Sequence, residues 1–245
     1  MKDEQKISVI ICAYNEEPRI GSVLRVVAGH PLLAEIIVIN DGSVDKTAEV
    51  VQRFPSIRLI SLSKNQGKSF ALAQGIRAAT YPLLMLLDAD LVGLTTHDIE
   101  ALAEPMLSRQ ADVVFTMRQN SLAICKLAGI DYITGERMVR RELLLPLVDV
   151  IEKLPSYGIE VFMNEEILRR GARLKIVYWD KVRIVRKSGK IGFWKGYYGD
   201  IMMTLQICKL IPWYRLVYQN YALLRLRIPS SGEHIGATIS RAQGE

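Results

Sequence analysis

Asp88-Ala89-Asp90 ends an apolar run, residues 83–87, on two carboxylates one residue apart. Residues i and i+2 of an extended chain point to the same side, so both carboxylates would present oxygens to one point. Like charges that close repel unless a cation or a shared proton lies between them. Mg²⁺ and Mn²⁺ suit such a pair, being hard ions that take oxygen ligands together with substrate phosphates. The alternative is a solvated Asx turn. Two further polar clusters follow apolar runs in the same way: Tyr14-Asn15-Glu16 after residues 7–13, and Asp41-Gly42-Ser43 after residues 36–40. Glu16 and Asp41 can accept hydrogen bonds from a base N–H or ribose hydroxyls. Tyr14 offers an aromatic face, for stacking or for the core.

Such clusters need a scaffold that brings three strand ends to one edge. Residues 7–13, 36–40, 57–62, 83–87 and 112–117 read as strands. Residues 19–28, 68–79 and 96–109 read as helices, with a further one up to residue 53 capped by Asp45. This alternation predicts an α/β domain with a mostly parallel sheet covered on both faces. Ligands of such sheets bind outside the carboxyl ends of the strands, the edge where all three clusters fall. Later in the chain, residues 135–145 are expected to begin a helix and residues 159–170 to form another. Residues 172–177 and 181–185 read as strands. Residues 191–226 read as mostly helical with a break at Pro212, and residues 230–245 as a polar, mobile tail.

The chain has 245 residues, 49% of them hydrophobic, enough for one sizeable core. Its net charge of +6 makes acidic partners plausible, and that charge is unevenly placed. Residues 1–120 carry net −2 and residues 121–245 net +8, so the two halves should face different things. Three widely spaced cysteines, Cys12, Cys125 and Cys208, form no disulfide or zinc pattern and suggest a reducing, cytoplasmic setting. The charged opening MKDEQKISVI does not resemble a signal peptide, and no segment reads as a transmembrane helix. The clustered Lys and Arg raise nucleic-acid binding, but no recognition module is present and carboxylates on the sheet edge would repel a phosphate backbone. Gly67-Lys68-Ser69 imitates the end of a P-loop, yet Leu62 stands where that motif needs glycine.

Taken in order, Ala13-Tyr14-Asn15-Glu16, Asp41-Gly42-Ser43-Val44-Asp45, Asn65-Gln66-Gly67-Lys68 and Asp88-Ala89-Asp90 resemble the family 2 glycosyltransferases, which have the GT-A fold. The resemblance covers about the first 120 residues. It implies a nucleotide-sugar donor, with UDP or GDP, whose nucleoside lies near Ala13, Tyr14, Asn15, Glu16, Asp41 and Gly42. It also implies Mg²⁺ or Mn²⁺ held through Asp88 and Asp90 on the diphosphate, with Ala89 and Lys68 beside it. The ion would act as a Lewis acid as the nucleoside diphosphate leaves. Lys68 could equally be a solvated helix start.

In the second half, Glu160 stands 11 residues before Gly171, the spacing that inverting members of the family show between their general base and a glycine. A carboxylate there could take the proton of an attacking hydroxyl, whereas a phosphate acceptor would need no base. An acid favoured by a helix N-terminus is the structural alternative. Gly135-Glu136-Arg137-Met138-Val139-Arg140-Arg141 followed by Tyr157-Gly158-Ile159-Glu160 also resembles the acceptor region of glucosyl-3-phosphoglycerate synthases. That makes Arg137, Arg140 and Arg141 candidates for an acceptor phosphate. The glycine-rich phosphoglycerate loop of those enzymes is missing, and Arg183-Ile184-Val185-Arg186 lacks their metal-binding histidine.

Between residues 169 and 195 there are ten Lys or Arg and one acid, Asp180, and an aromatic, amphipathic segment follows. Such a segment can lie in a membrane interface, which favours a lipid-phosphate acceptor such as a polyprenyl phosphate and a peripheral site on the cytoplasmic membrane face. The same helices could pack on the sheet or form a homodimer surface. The expected organisation is residues 1–120 for the nucleotide sugar and residues 121–189 for the acceptor, within one domain. Residues 190–228 form a helical extension and residues 229–245 a tail. The expected reaction moves a hexose to a hydroxyl or phosphate with inversion.

Overall fold

The computed structural model describes residues 3–155, 158–185 and 213–228. The apolar runs become strands: β1 (Ile7–Ala13), β2 (Leu33–Asn40), β3 (Arg58–Ser61), β4 (Leu83–Asp88), β5 (Leu91–Val92), β6 (Val113–Arg118), β7 (Arg137–Arg140), β8 (Leu174–Trp179) and β9 (Arg183–Ile184). Seven of them form one sheet in the order β3-β2-β1-β4-β7-β6-β8. Every neighbouring pair is parallel except those made by β7, which runs antiparallel to both β4 and β6. The α/β architecture with a mostly parallel sheet is as expected.

Alternate residues of the central strands point to opposite faces. Ile7, Val9 and Ile11 join Leu83, Met85 and Leu87 on one face, under helices α1 (Ile20–Val27), α2 (Thr47–Gln52) and α4 (Thr96–Leu107). Ile10, Leu84 and Leu86 lie on the other, under α3 (Lys68–Ala78), α7 (Val148–Ile151), α8 (Gly158–Arg169) and Leu223. Both faces being covered explains why these strands read as continuous apolar runs. Each fully buried Ile or Leu contributes roughly 1.5–3 kcal/mol of transfer free energy. Two short helices, α5 (Ala123–Ala128) and α6 (Arg141–Leu144), flank β7 in the chain. A helix of residues Trp213–Leu226 packs on α8.

Residues 135–145 depart from expectation. They form β7 first and only the short α6 afterwards. Met138 and Val139 are fully buried between β4 and β6, where two ladders satisfy the backbone and tertiary pairing overrides helical periodicity. One sheet therefore runs through both halves of the chain. No helix among the described residues is long and apolar enough to cross a membrane. The expected break at Pro212, the segment before it and the tail from residue 229 lie outside the described residues.

Candidate functional site

The loops after β1, β2 and β3 and the turn after β4 meet at the carboxyl edge of the sheet. They enclose a cleft of about 350 Å³ lined by Tyr14, Glu16, Asp41, Lys68, Asp88 and Asp90, with Ala13 and Ala89 in its wall. The three polar clusters singled out by sequence do converge. Tyr14 is 45% exposed, so its ring is available to the cleft and not spent in the core.

The first two loops are tied together by Asn15. It adopts the left-handed conformation at φ 54°, which Asn tolerates better than most residues. Its Oδ1 accepts from the Val44 N–H at 2.9 Å and its own N–H donates to Ser43 Oγ at 3.0 Å. The Glu16 N–H donates to Thr47 Oγ1 at 2.8 Å, and its carboxylate pairs with Arg19. Gly42, at φ 66°, has no room for a side chain, since a Cβ there would lie 2.3 Å from the carbonyl carbon of Lys64. Asp45 accepts from the N–H groups of Thr47 at 3.0 Å and Glu17 at 3.1 Å, so it makes an Asx turn one residue before the N-cap position of α2, which Lys46 occupies without a side-chain cap, and it anchors the first loop.

Asp41 is buried and organises the third loop. Its carboxylate accepts from the N–H groups of Gln66 at 2.8 Å and Gly67 at 2.9 Å, and from Asn65 Nδ2 at 3.1 Å. That loop turns through Gly67 at φ 94° and delivers Lys68 as the first residue of α3.

Lys68 is the hub of the site. Its Nζ lies 3.0 Å from Asp88 Oδ1 and 3.0 Å from Glu160 Oε1, joining β4 to the first turn of α8. Burial opposes its charge, but the two carboxylates outweigh that and hold its pKa well above the usual lysine range. Asp88 is balanced in the same way. Burial would raise it, yet Lys68 and Arg118 together keep it below the usual carboxylate range. The ion pair rests directly on Gly135, where a Cβ would lie 2.7 Å from both Lys68 Nζ and Asp88 Oδ1.

Behind Asp88 lies a buried polar cluster that sequence reading missed. Arg118 Nη1 is 2.8 Å from Glu136 Oε1 and 3.9 Å from Asp88 Oδ2, and Nη2 is 3.7 Å from Asp131 Oδ2. Thr134 Oγ1 donates to Glu136 Oε2 at 2.7 Å. A signal existed, because Arg118 ends the apolar run of β6 as Asp88 ends that of β4.

The three acceptor-phosphate candidates are not brought to the cleft. Arg137 is fully buried, with its guanidinium consumed by the carbonyls of Thr134 and Tyr132 at 2.8 Å each and by Asn164 Oδ1 at 2.7 Å. It stacks 4.1 Å from the Phe115 ring centroid, and burial pushes its pKa down to about 10. Arg140 pairs with Leu83, and the Arg141 N–H donates to the carbonyl of Pro82 at 2.8 Å, at the amino end of β4 and the opposite edge of the sheet from Asp88. The antiparallel course of β7 is the reason, for it carries the chain away from the site after Glu136.

Hard divalent ions fit the carboxylates of the cleft only with oxygens from a substrate. Among the described residues no group of three or more His, Cys, Asp or Glu could enclose an ion. Asp88 faces Lys68 and Arg118, and Asp90, in the turn between β4 and β5, lines the cleft beside it. β5 pairs with β9, which brings Arg183 and Ile184 alongside that turn.

The family model for glycosyl transferase family 2 matches residues 8–144. The poly-β-1,6-N-acetyl-D-glucosamine synthase of Staphylococcus epidermidis is 41% identical over 91 residues, which is 35% of this chain and 22% of that protein. The same enzyme from Staphylococcus aureus (strain COL) is 40% identical over 90 residues, with the same coverage. The matched stretch thus spans less than a quarter of the length of these relatives. Glucosyl-3-phosphoglycerate synthase from Mycobacterium tuberculosis, crystallised with Mn²⁺ and UDP-glucose, superposes with a TM-score of 0.67 at 23% identity, over 94% of this chain and 82% of that one. Its complex with Mn²⁺, UDP and glucosyl-3-phosphoglycerate superposes with a TM-score of 0.64 at 22% identity, over 94% and 83%. At those identities the likeness is one of fold. The family match takes in every loop that builds the cleft together with Gly135 beneath it, and the chain belongs to glycosyl transferase family 2.

Proposed function

We propose that the protein transfers a hexose from a nucleoside-diphosphate sugar to a hydroxyl or phosphate acceptor. The observation that carries this reading is the convergence of Tyr14, Asp41, Lys68, Asp88 and Asp90 on one cleft at the carboxyl edge of the sheet. Tyr14 stacks on the base, while Glu16 and Asp41 accept from nucleoside N–H or hydroxyl groups. Asp90 and Asp88 would hold Mg²⁺ or Mn²⁺, which would supply Lewis-acid neutralisation of the leaving diphosphate. The UDP-glucose and Mn²⁺ in the glucosyl-3-phosphoglycerate synthase crystals favour UDP over GDP.

Glu160 is ion-paired with Lys68, an arrangement suited to orienting an acceptor more than to abstracting a proton. A phosphate oxygen is already a nucleophile and needs no base, so the pair favours a phosphate acceptor. The net charge of +8 on residues 121–245 supports a lipid-linked phosphate met at a membrane surface, with a small soluble phosphate ester as the second reading.

Calorimetric titration of UDP and GDP, each with and without Mn²⁺, tests the donor site. UDP is expected to bind only with the metal, and Asp90→Ala to abolish that binding while leaving the circular dichroism unchanged. Equal metal-dependent binding by Asp90→Ala would sink the assignment. Radiolabelled transfer to a polyprenyl phosphate in vesicles or to 3-phosphoglycerate in solution then separates the two acceptors.

A further inference from the structure

A chain of buried hydrogen bonds runs from the C-terminal helix to the backbone of Glu160. Gln219, 4% exposed, donates from Nε2 to the carbonyl of Val161 at 3.2 Å and accepts at Oε1 from Asn164 Nδ2 at 3.3 Å. Asn164, fully buried, accepts at Oδ1 from Arg137 Nη1 at 2.7 Å. The same Nη1 donates to the carbonyl of Glu160 at 3.3 Å. Two adjacent carbonyls in the first turn of α8 are therefore held from outside the helix, one by β7 and one by the C-terminal helix.

We infer that Gln219 is a positioning residue. Through Asn164 and Arg137 it steadies the turn that presents Glu160 to Lys68. This rests on the proposed role of the Lys68–Glu160 pair. The physical case is that buried polar groups are costly unless paired. Asn164 Nδ2 also donates to the carbonyl of Tyr132 at 2.9 Å, so loss of Gln219 removes one of its two acceptors and the outside donor to the Val161 carbonyl, which loosens the first turn of α8. Tyr14, Asp41 and Asp90 sit on other elements, and Lys68 keeps its contact with Asp88.

The test compares Gln219→Met, similar in volume but without the amide, with Leu223→Ala. Leu223 is fully buried on the same helix and packs into the core without joining the polar chain. Both variants should lower the unfolding midpoint. Gln219→Met is expected to lower kcat for sugar transfer about tenfold or more, the order of loss that small misplacements bring, with the dissociation constant for UDP and Mn²⁺ unchanged. Leu223→Ala should keep kcat at temperatures where it is folded. An independent readout is the ¹³Cδ resonance of Glu160 in glutamate-labelled protein, assigned with Glu160→Gln. It should move in Gln219→Met and stay in Leu223→Ala. Equal behaviour of the two variants in either measurement overturns the inference. Should the wild type fail to bind nucleotide, the proposed function falls, and the resonance alone still decides the role of Gln219.

Discussion

Lys68 and Gly135 show how closely the chemistry depends on single atoms. A lysine shared by two carboxylates at 3.0 Å holds β4 and α8 in register, and the backbone of Gly135 forms the floor beneath it. Gly135→Ala places a methyl 2.7 Å from both ends of the Lys68–Asp88 pair. The fold has room to respond, because the lysine end is flexible. The expected cost is therefore about 1 kcal/mol in stability, at the low end for overpacking, together with loss of most metal-dependent UDP binding. Urea unfolding and calorimetry on the same variant check the two halves of that expectation. Retained binding would show that the pair tolerates displacement.

At the scale of elements, the site is an edge where loops of different origin are pinned to one another. Asn15 joins the first loop to the second, and Asp41 joins the second to the third. The helices on the far face serve stability instead. Helix α4 opens with a capping box: the Asp98 N–H donates to Thr95 Oγ1 at 3.3 Å and the Thr95 N–H to Asp98 Oδ2 at 2.8 Å. Thr95→Ala should cost about 1 kcal/mol of unfolding free energy, the usual value of such a cap. Nucleotide affinity should not change, since α4 contributes nothing to the cleft. A fall in UDP affinity would mean that this face communicates with the site.

The whole molecule carries its charge in an unusual place. Asp88, Asp131, Glu136 and Glu160 meet Lys68, Arg118 and Arg137 in and behind the cleft. Burial, opposed in part by Arg118, lifts the fully buried Glu136 carboxyl to about 7. The folded state holds this proton more tightly than the unfolded chain, so its contribution to stability is complete below the unfolded carboxyl value and is lost as pH rises through about 7. Asp88 has the opposite sign. Burial alone would raise it, but Lys68 and Arg118 bring it below the usual range. Its contribution is present above the unfolded value and is lost as pH falls through the lower folded one. Glu136→Gln should therefore gain on the wild type in urea midpoint between pH 5 and pH 8. Midpoints that move in parallel over that range would remove Glu136 from this role.

The sequence by itself determined the α/β alternation and the edge on which Tyr14, Asp41 and Asp88 would stand. Apolar strands buried on both faces and polar residues at their ends are local patterns, written in consecutive residues. The direction of β7 was not legible. RMVR reads as well in a helix as in a strand, and only the gap between β4 and β6 settles which it is. That one antiparallel strand decided the rest. It sent Arg140 and Arg141 to the wrong edge for an acceptor, buried Arg137, and left Gly135 and Glu136 beneath Asp88. The joining of Lys68 to Glu160, and of Glu160 to Gln219, likewise belongs to tertiary structure, because it links residues far apart in sequence through contacts that no local periodicity encodes.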